Sequence, residues 1–227
     1  MFARVSASFT EFPDIFGEPE PQSGSPVRIN LNEFSYRKGA EIFGEKEPAN
    51  YVYQVESGAV RSYKLLSDGR RQIGAFHLVG DIFGLEIGTE HRFTAEAIID
   101  TTVRLLKRRS LELVAQHDVK VAHNLLSMTT SNLRHAEDHM LLLGRKTSLE
   151  RVAAFLIEMD RRSTAAGILA LPMCRRDIAD YLGLTLETVS RALSRLHELG
   201  VLGFVGNNQR QIVLLDREKL ASLDLQH

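Results

Sequence analysis

Three polar residues with complementary hydrogen-bonding capacity, Glu187, Ser190 and Arg191, are spaced to lie on one face of a predicted helix. Arginine can donate a fork of hydrogen bonds to guanine O6 and N7, glutamate can accept from cytosine N4 or adenine N6, and serine can bond in either direction. Thr185 suits the N-cap position, which places these residues in the first two turns. That end of a recognition helix enters the DNA major groove, so we predict them, with Leu186, as base-reading residues.

The other face of this segment is apolar, which indicates that the helix packs on a core. Val189, Leu193 and Leu196 recur at i, i+4 and i+7. Residues 175–182 predict a second helix, and Gly183 permits a tight turn between the two. Together these features predict a helix-turn-helix. A pair of solvated amphipathic helices with no ligand is the alternative.

The charge balance restricts how such an element could bind DNA. The chain has 227 residues, a formal net charge of -1, 44% hydrophobic and 25% charged residues, which is typical of a globular protein with room for two domains. Because the whole chain is not basic, any contact with nucleic acid must come from a localised patch. The predicted DNA-phosphate contacts are Cys174, Arg175, Arg176 and Arg195.

The first part of the chain must position this helix pair. Residues 1–26 contain four prolines among polar residues and predict a flexible N-terminal arm. Residues 27–109 alternate glycines with short β-favouring runs, and Asp68-Gly69 is a hairpin signal. Many short strands at near-regular spacing indicate a sandwich or barrel. The predicted strands include residues 51–55, 59–65, 72–76 and 102–106.

Residues 110–144 predict one long helix with two apolar stripes. The first follows a/d spacing and comprises Val119, Ala122, Leu126, Thr129, Leu133, Ala136, Met140 and Leu143. The second is predicted to face the β-domain and comprises Val121, Leu125, Met128 and Leu142. Since two apolar sides need two partners, we predict a homodimer with this dimerisation helix at its interface, the alternative being a buried helix in a monomer. The predicted interface residues are Leu126, Leu133, Ala136, Met140 and Leu143.

Residues 145–227 predict the domain that carries the helix-turn-helix. A helix from Ser148 to Met159 and a strand at residues 168–172 precede it. Residues 201–205 and 211–214 predict a hairpin after it. A helix-turn-helix followed by a hairpin is a winged arrangement.

The string from Asp177 to Arg191, with Glu-x-x-Ser-Arg on its second helix, closely resembles the CRP/FNR family of bacterial transcription regulators and, within it, the FNR and FixK branch. The resemblance implies an α+β chain with an N-terminal jelly-roll sensor domain like cyclic-nucleotide-binding domains, a long dimerisation helix and a C-terminal winged helix-turn-helix. It also implies palindromic double-stranded DNA with TTGAT-like half-sites and RNA polymerase as partners. FixK-like proteins switch on genes for low-oxygen respiration and nitrogen fixation, so we expect an activator with similar targets.

The resemblance leaves the effector of the sensor domain open. Cyclic-nucleotide-binding members hold the phosphate with an arginine and a small hydroxyl residue, but His91 and Phe93 occupy those places here, and Arg92 is displaced by one residue. A cyclic-nucleotide-responsive regulator is therefore kept as an alternative. FNR carries an amino-terminal cysteine cluster, whereas the single cysteine here is Cys174, so we expect neither an iron-sulfur cluster nor another cofactor.

Three histidines are candidate metal ligands. His135 and His139 have the i, i+4 spacing of a metal pair, but without a third ligand we expect ordinary histidines on a helix surface and no metal. His77, on a strand, is treated in the same way as a candidate haem ligand.

Cys174 is predicted to be a redox-sensitive residue. It stands at the N-cap of the first helix, where the family usually carries Ser or Thr, with Asp177 three residues further on. The helix dipole and the neighbouring Arg175 and Arg176 would stabilise its thiolate. Oxidation would then place a negative charge against a DNA phosphate and weaken binding. The alternative is that cysteine merely replaces serine as a small, weak cap.

Other classes of protein are less favoured. No G-x-S-x-G, P-loop, Rossmann or H-E-x-x-H motif occurs, so we predict that the chain is not an enzyme, although catalytic groups could be far apart in sequence. No apolar run is long enough to span a bilayer, and the first residues do not resemble a signal peptide. We expect a cytoplasmic protein with no membrane partner.

Overall fold

The computed structural model describes residues 32–145, 147–162, 167–206 and 211–224, so the arm predicted at residues 1–26 lies outside the described residues. The N-terminal domain is a sandwich of two antiparallel four-stranded sheets, ordered β1-β8-β3-β6 and β2-β7-β4-β5. Apart from the hairpin β4-β5, strands that follow one another in the chain pass between the two sheets, as in a jelly roll. Its strands are β1 (Asn32–Tyr36), β2 (Glu41–Phe43), β3 (Tyr51–Ser57), β4 (Val60–Leu65), β5 (Arg71–His77), β6 (Ile82–Phe83), β7 (Thr94–Ala97) and β8 (Thr101–Lys107).

The sandwich is held together by apolar side chains that alternate along both sheets. Phe43 and Val60 from one sheet pack in a single buried cluster with Tyr53, Phe83 and Val103 from the other. Alternate residues of a strand point to opposite faces of the sheet, so in strands such as β3 the apolar side chains on one face pack in this core. The strands predicted within residues 51–106 are confirmed.

The hairpin that joins β4 to β5 is confirmed at Asp68-Gly69. Gly69 has a φ of 82°, which a residue without Cβ adopts without strain. The Asp68 carboxylate accepts from the backbone N–H of Arg70 at 3.0 Å and closes the turn. The hairpin aligns β4 with β5 from Leu65 opposite Arg71 to Val60 opposite His77.

The helical stretch after the sandwich differs from the single helix predicted from residue 110. It comprises α1 (Arg108–His117) and α2 (Val119–Arg145), which are interrupted at Asp118. Asp118 adopts an extended conformation, and its carboxylate accepts from the backbone N–H of Lys120 at 2.8 Å. A carboxylate in that position caps a new helix, so α2 begins directly after α1 and the apolar period continues across the interruption.

One face of α2 packs on the sandwich as predicted. Val121, Leu125 and Met128 lie in a cluster with the sandwich residues Val52, Ile82, Leu106 and with Leu111 of α1. Leu142, predicted on the same stripe, instead belongs to the cluster that contains the core of the C-terminal domain. The inner stripe of α2 thus spans both domains.

The other face of α2 is exposed in the single chain. Leu126, Leu133 and Met140 have exposed fractions of 65%, 59% and 65%, and Ala136 is also exposed. Leu143 differs, because it is half-buried and its carbonyl accepts from Nη2 of Arg151 at 2.9 Å. Arg151 also donates to the Leu182 carbonyl at 3.0 Å, so Leu143 lies at the junction with the C-terminal domain and not on the exposed part of this face.

The C-terminal domain surrounds one apolar core with helices and a three-stranded sheet ordered β10-β11-β9. Its elements are α3 (Ser148–Arg162), β9 (Leu169–Ala170), α4 (Arg175–Leu182), α5 (Leu186–Glu198), β10 (Leu202–Val205), β11 (Gln211–Leu214) and α6 (Arg217–Asp224). The winged arrangement is confirmed, while α6 was not predicted; it packs on α3 through Leu220, which is fully buried. None of the helices in the described ranges is long and apolar enough to cross a membrane.

Candidate DNA interface

The turn between α4 and α5 fixes the relative orientation of the two helices. Gly183 has φ 61° and ψ 39°, a left-handed conformation that ends α4, and its N–H bonds the Ala179 carbonyl. Thr185 caps α5 as predicted, accepting from the Thr188 backbone N–H at 3.2 Å. The apolar stripe of α5 is buried, with Val189 and Leu196 fully inaccessible. Its opposite face is therefore held at a defined position.

That opposite face carries the predicted base-reading residues. Glu187 and Arg191 are exposed, whereas Leu186 and Ser190 are half-buried. Hydrogen bonds from its own backbone N–H and from Thr185 lower the pKa of the Glu187 carboxyl, which is thus an anionic acceptor at neutral pH. The structure brings the four side chains together on the first two turns of α5.

The predicted phosphate-contacting residues have different surroundings. Arg175 donates to Ser190 Oγ at 3.2 Å, and its guanidinium lies 5.9 Å from the centre of the Phe204 ring on β10. It thereby links α4, α5 and the wing. Arg176 is exposed, and Arg195 forms an exposed ion pair with Glu198 at 3.1 Å. An exposed pair of this kind contributes little to stability, so Arg195 can exchange partners at low cost.

Cys174 occupies the N-cap of α4 and is half-buried. Both its backbone N–H and its thiol donate to Oδ2 of Asp177, each at 3.1 Å. Asp177 itself is only 2% exposed. The thiol therefore faces a buried carboxylate as well as the helix terminus, and an added negative charge on sulfur would lie directly against it.

Sequence reasoning missed that two arginines of the sandwich reach this carboxylate. Arg61 Nη1 and Arg71 Nη2 lie 2.9 Å and 2.6 Å from Asp177 Oδ1. Arg71 also bonds Asp180 Oδ2, from Nε at 2.9 Å and from Nη2 at 2.8 Å. No local pattern signals these pairs, because more than a hundred residues separate the partners in the chain.

The expectation that His135 and His139 are surface histidines is wrong for His139, whereas the side chain of His135 is 39% exposed. The His139 ring stacks on Tyr181 of α4 at 4.1 Å, and its Nε2 donates to the Tyr181 carbonyl at 3.0 Å. The Tyr181 hydroxyl donates to Glu158 and lies 3.3 Å from Nε2 of His135. Burial lowers the pKa of His139. Within the described residues, no group of three His, Cys, Asp or Glu side chains could hold a metal ion.

The sensor domain differs from a phosphate cradle at the position of the family arginine. His91 is 2% exposed and stacks on Phe43 with 3.6 Å between ring centres, and burial lowers its pKa. A neutral, buried imidazole supplies no fixed cation to a phosphate. An open cavity of about 360 Å³ lies beside it and is lined by residues of both charges, including Glu45, Lys64 and Arg92.

His77, the candidate haem ligand, already contacts two side chains of the sandwich. Its Nε2 is 2.8 Å from Ser62 Oγ, and its ring stacks on Phe83 at 4.8 Å. Burial, the nearby Arg162 cation and His135 lower its pKa to about 3.

Comparison with known proteins identifies both halves of the chain. The Crp-like helix-turn-helix domain family matches residues 150–223, and the cyclic nucleotide-binding domain family matches residues 33–118. The nitrogen fixation regulation protein FixK of Rhizobium meliloti (strain 1021) is 40% identical over 90% of each chain. FixK of Azorhizobium caulinodans is 44% identical over 83% of this chain and 77% of its own.

Among solved structures, FixK2 from Bradyrhizobium japonicum is 70% identical, with a TM-score of 0.83 over 86% of this chain and 98% of its own. These relatives are regulators and not enzymes, and they share the fold described above. The chain therefore belongs to the FixK-like branch of the CRP/FNR family of DNA-binding transcription regulators.

Proposed function

We propose that this regulator binds a palindromic DNA site as a homodimer and activates genes for low-oxygen respiration or nitrogen fixation. The observation that supports this most directly is the exposed polar face of α5, with Glu187 and Arg191 on a helix whose other side is fully buried. Relatives named as nitrogen fixation regulators support the choice of target genes. Since the target is chromosomal DNA, the protein acts in the cytoplasm.

Base reading is assigned to the first two turns of α5. Arg191 donates two hydrogen bonds to a guanine, and Glu187 accepts from the exocyclic amine of a cytosine or adenine. Ser190 and Leu186 complete the contact surface, while Arg176, Arg195 and the start of α4 contact phosphates and fix the register. The Glu-x-x-Ser-Arg pattern supports TTGAT-like half-sites.

The dimer is assigned to the exposed apolar face of α2. Leu126, Leu133 and Met140 are seven residues apart, so they form one stripe along the helix. Pairing this stripe with its symmetry mate removes three large apolar side chains from water. A two-fold axis through α2 also presents two copies of α5, which matches the symmetry of a palindrome.

Redox inhibition is assigned to Cys174. Two molecules of hydrogen peroxide oxidise a thiol to a sulfinic acid, each giving one oxygen to sulfur and leaving as water. The resulting sulfinate adds a negative charge beside Asp177, whose Oδ2 is 3.1 Å from the sulfur, and beside the expected DNA phosphate. Repulsion from either partner weakens DNA binding regardless of sequence.

A binding titration tests the proposed function. A duplex carrying inverted TTGAT half-sites and a scrambled duplex of equal composition are titrated by fluorescence anisotropy at physiological salt. We expect nanomolar affinity for the first, about 10³-fold tighter than for the second, with a steep loss as salt rises. Equal affinity for the two duplexes would rule out sequence-specific binding to this palindrome. In vitro transcription with purified RNA polymerase then tests activation, since a repressor would lower the transcript instead.

A further inference from the structure

Buried ion pairs join the sandwich to α4, the first helix of the helix-turn-helix. Arg61 on β4 and Arg71 on β5 both donate to Asp177, whose side chain is 3% exposed. Arg71 also pairs with Asp180 one turn further along α4. The arginine side chains are 15% and 20% exposed, so these pairs are largely removed from water and screened little by salt.

The Asp177 carboxylate is shared by groups from both domains. Asp177 accepts from the two arginines at Oδ1 and from the Cys174 backbone N–H at Oδ2, so one carboxylate both caps α4 and joins it to the sandwich. Leaving a buried charge without its partner is unfavourable, because no water replaces the lost bond. The N-terminal end of α4, where the helix-turn-helix begins, is thus fixed to β4 and β5.

A second attachment lies on α3. Arg162 donates to the Phe76 carbonyl of β5 at 2.8 Å and pairs with Asp81. The Phe76 ring packs against Phe155 of α3 and Tyr181 of α4, at 6.2 Å and 5.1 Å between ring centres. The ion pairs of Arg61 and Arg71 thus hold the N-terminal end of α4, while the contacts of Phe76 and Arg162 hold α3 and the C-terminal end of α4. Together they restrict rotation of the C-terminal domain against the sandwich.

We propose that Arg71, assisted by Arg61, is a positioning residue for DNA binding that sets the orientation of the reading helix relative to the dimerisation helix. The inference rests on the proposed function, because orientation matters only when two reading helices must meet two half-sites. Arg71 holds α4 through Asp177 and Asp180, and the Gly183 turn transmits that orientation to α5. Without it, α4 stays attached near Tyr181, but its N-terminal end is no longer held to the sandwich by Asp177 and Asp180, so the separation of the two reading helices is less strictly fixed.

This role leads to a specific consequence for half-site spacing. One inserted base pair separates two half-sites by about 3.4 Å and rotates one against the other by about 35°. A dimer with fixed reading helices rejects such a change, whereas a pivoting domain accommodates it. Loss of a phosphate or base contact would weaken binding at all spacings alike.

The test uses full-length protein and a set of palindromic duplexes whose spacer is optimal, or shorter or longer by one or two base pairs. For Arg71→Ala we expect affinity at the optimal spacing to fall about tenfold, a typical size for coupling between two sites. Affinities at the other spacings should change less than about twofold, so the spacing profile flattens. Arg70→Ala is the matched control, because Arg70 is 78% exposed at the neighbouring position and pairs with Asp68.

Asp180→Asn separates positioning from simple charge effects and remains informative if Arg71→Ala does not fold. The arginine variant removes a positive charge and the aspartate variant removes a negative one, so long-range attraction to DNA would change in opposite directions. We expect both variants to flatten the spacing profile. A sharp profile in either folded variant, or opposite shifts in affinity at every spacing, overturns the inference. If the natural protein itself shows no preference for the palindrome, the proposed function fails instead.

Discussion

Placing a charge at Leu133 tests the proposed dimer face. Leu133 is 59% exposed in the subunit, so Leu133→Glu should change the folding free energy of one chain by no more than about 0.5 kcal/mol. In the dimer it removes about 1 to 2 kcal/mol of apolar burial per subunit. It also buries a carboxylate against its symmetry mate, at a cost of several kcal/mol. The sum of roughly 5 to 10 kcal/mol per dimer raises the dissociation constant at least about 10³-fold.

Sedimentation velocity at micromolar concentration measures this effect, with circular dichroism as a check on folding. Ser127→Glu is the matched control, since Ser127 is exposed on the same helix but lies about 120° around it from Leu133. We expect the control to remain a dimer and Leu133→Glu to sediment as a folded monomer with much weaker palindrome binding. A folded Leu133→Glu protein that stays dimeric would show that the interface lies elsewhere.

Two further predictions concern pH and oxidation. His77 has an ordinary pKa of 6.5, and the fold lowers its pKa to about 3. The contribution of its neutral form to the free energy of unfolding is therefore complete above pH 6.5 and is lost as the pH falls. The free energy of unfolding, measured with urea, should therefore fall by about 2 kcal/mol between pH 6.5 and 5. His77→Gln should remove that part of the pH dependence, and an unchanged pH dependence in this variant would contradict the assignment. Peroxide should weaken DNA binding of the natural protein about tenfold or more, spare Cys174→Ser and be mimicked by Cys174→Asp. Equal inhibition of the serine variant would place the oxidation at another residue.

Local chemistry made part of this structure predictable. The αL position at Gly183, the cap at Thr185 and the apolar stripe of α5 are short-range features, and each was found where its residue types indicated. The same holds for the Asp68-Gly69 hairpin. Such features depend on residues within one or two turns of the chain, so a single sequence contains the information.

The remainder depends on which elements meet in space. The break at Asp118 was hidden because the apolar period continues across it, and an aspartate there is equally compatible with a surface position. His139 was expected on the surface because its partner, Tyr181, lies more than forty residues away. The arginine pairs with Asp177 join strands to a helix over more than a hundred residues. These contacts follow from the packing of the two domains, which cannot be predicted from the periodicity of any one segment.

The base-reading role of α5 is tested most directly by selecting bound sequences from random DNA with the natural protein and with Arg191→Ala. We expect the natural protein to recover an inverted repeat with TTGAT-like halves. The variant should lose preference at one symmetric base pair and bind the natural site about 1 to 3 kcal/mol more weakly, because a bidentate arginine-guanine pair is removed. If Arg191→Ala recovers the same motif and weakens all sequences equally, Arg191 contacts a phosphate and does not read a base.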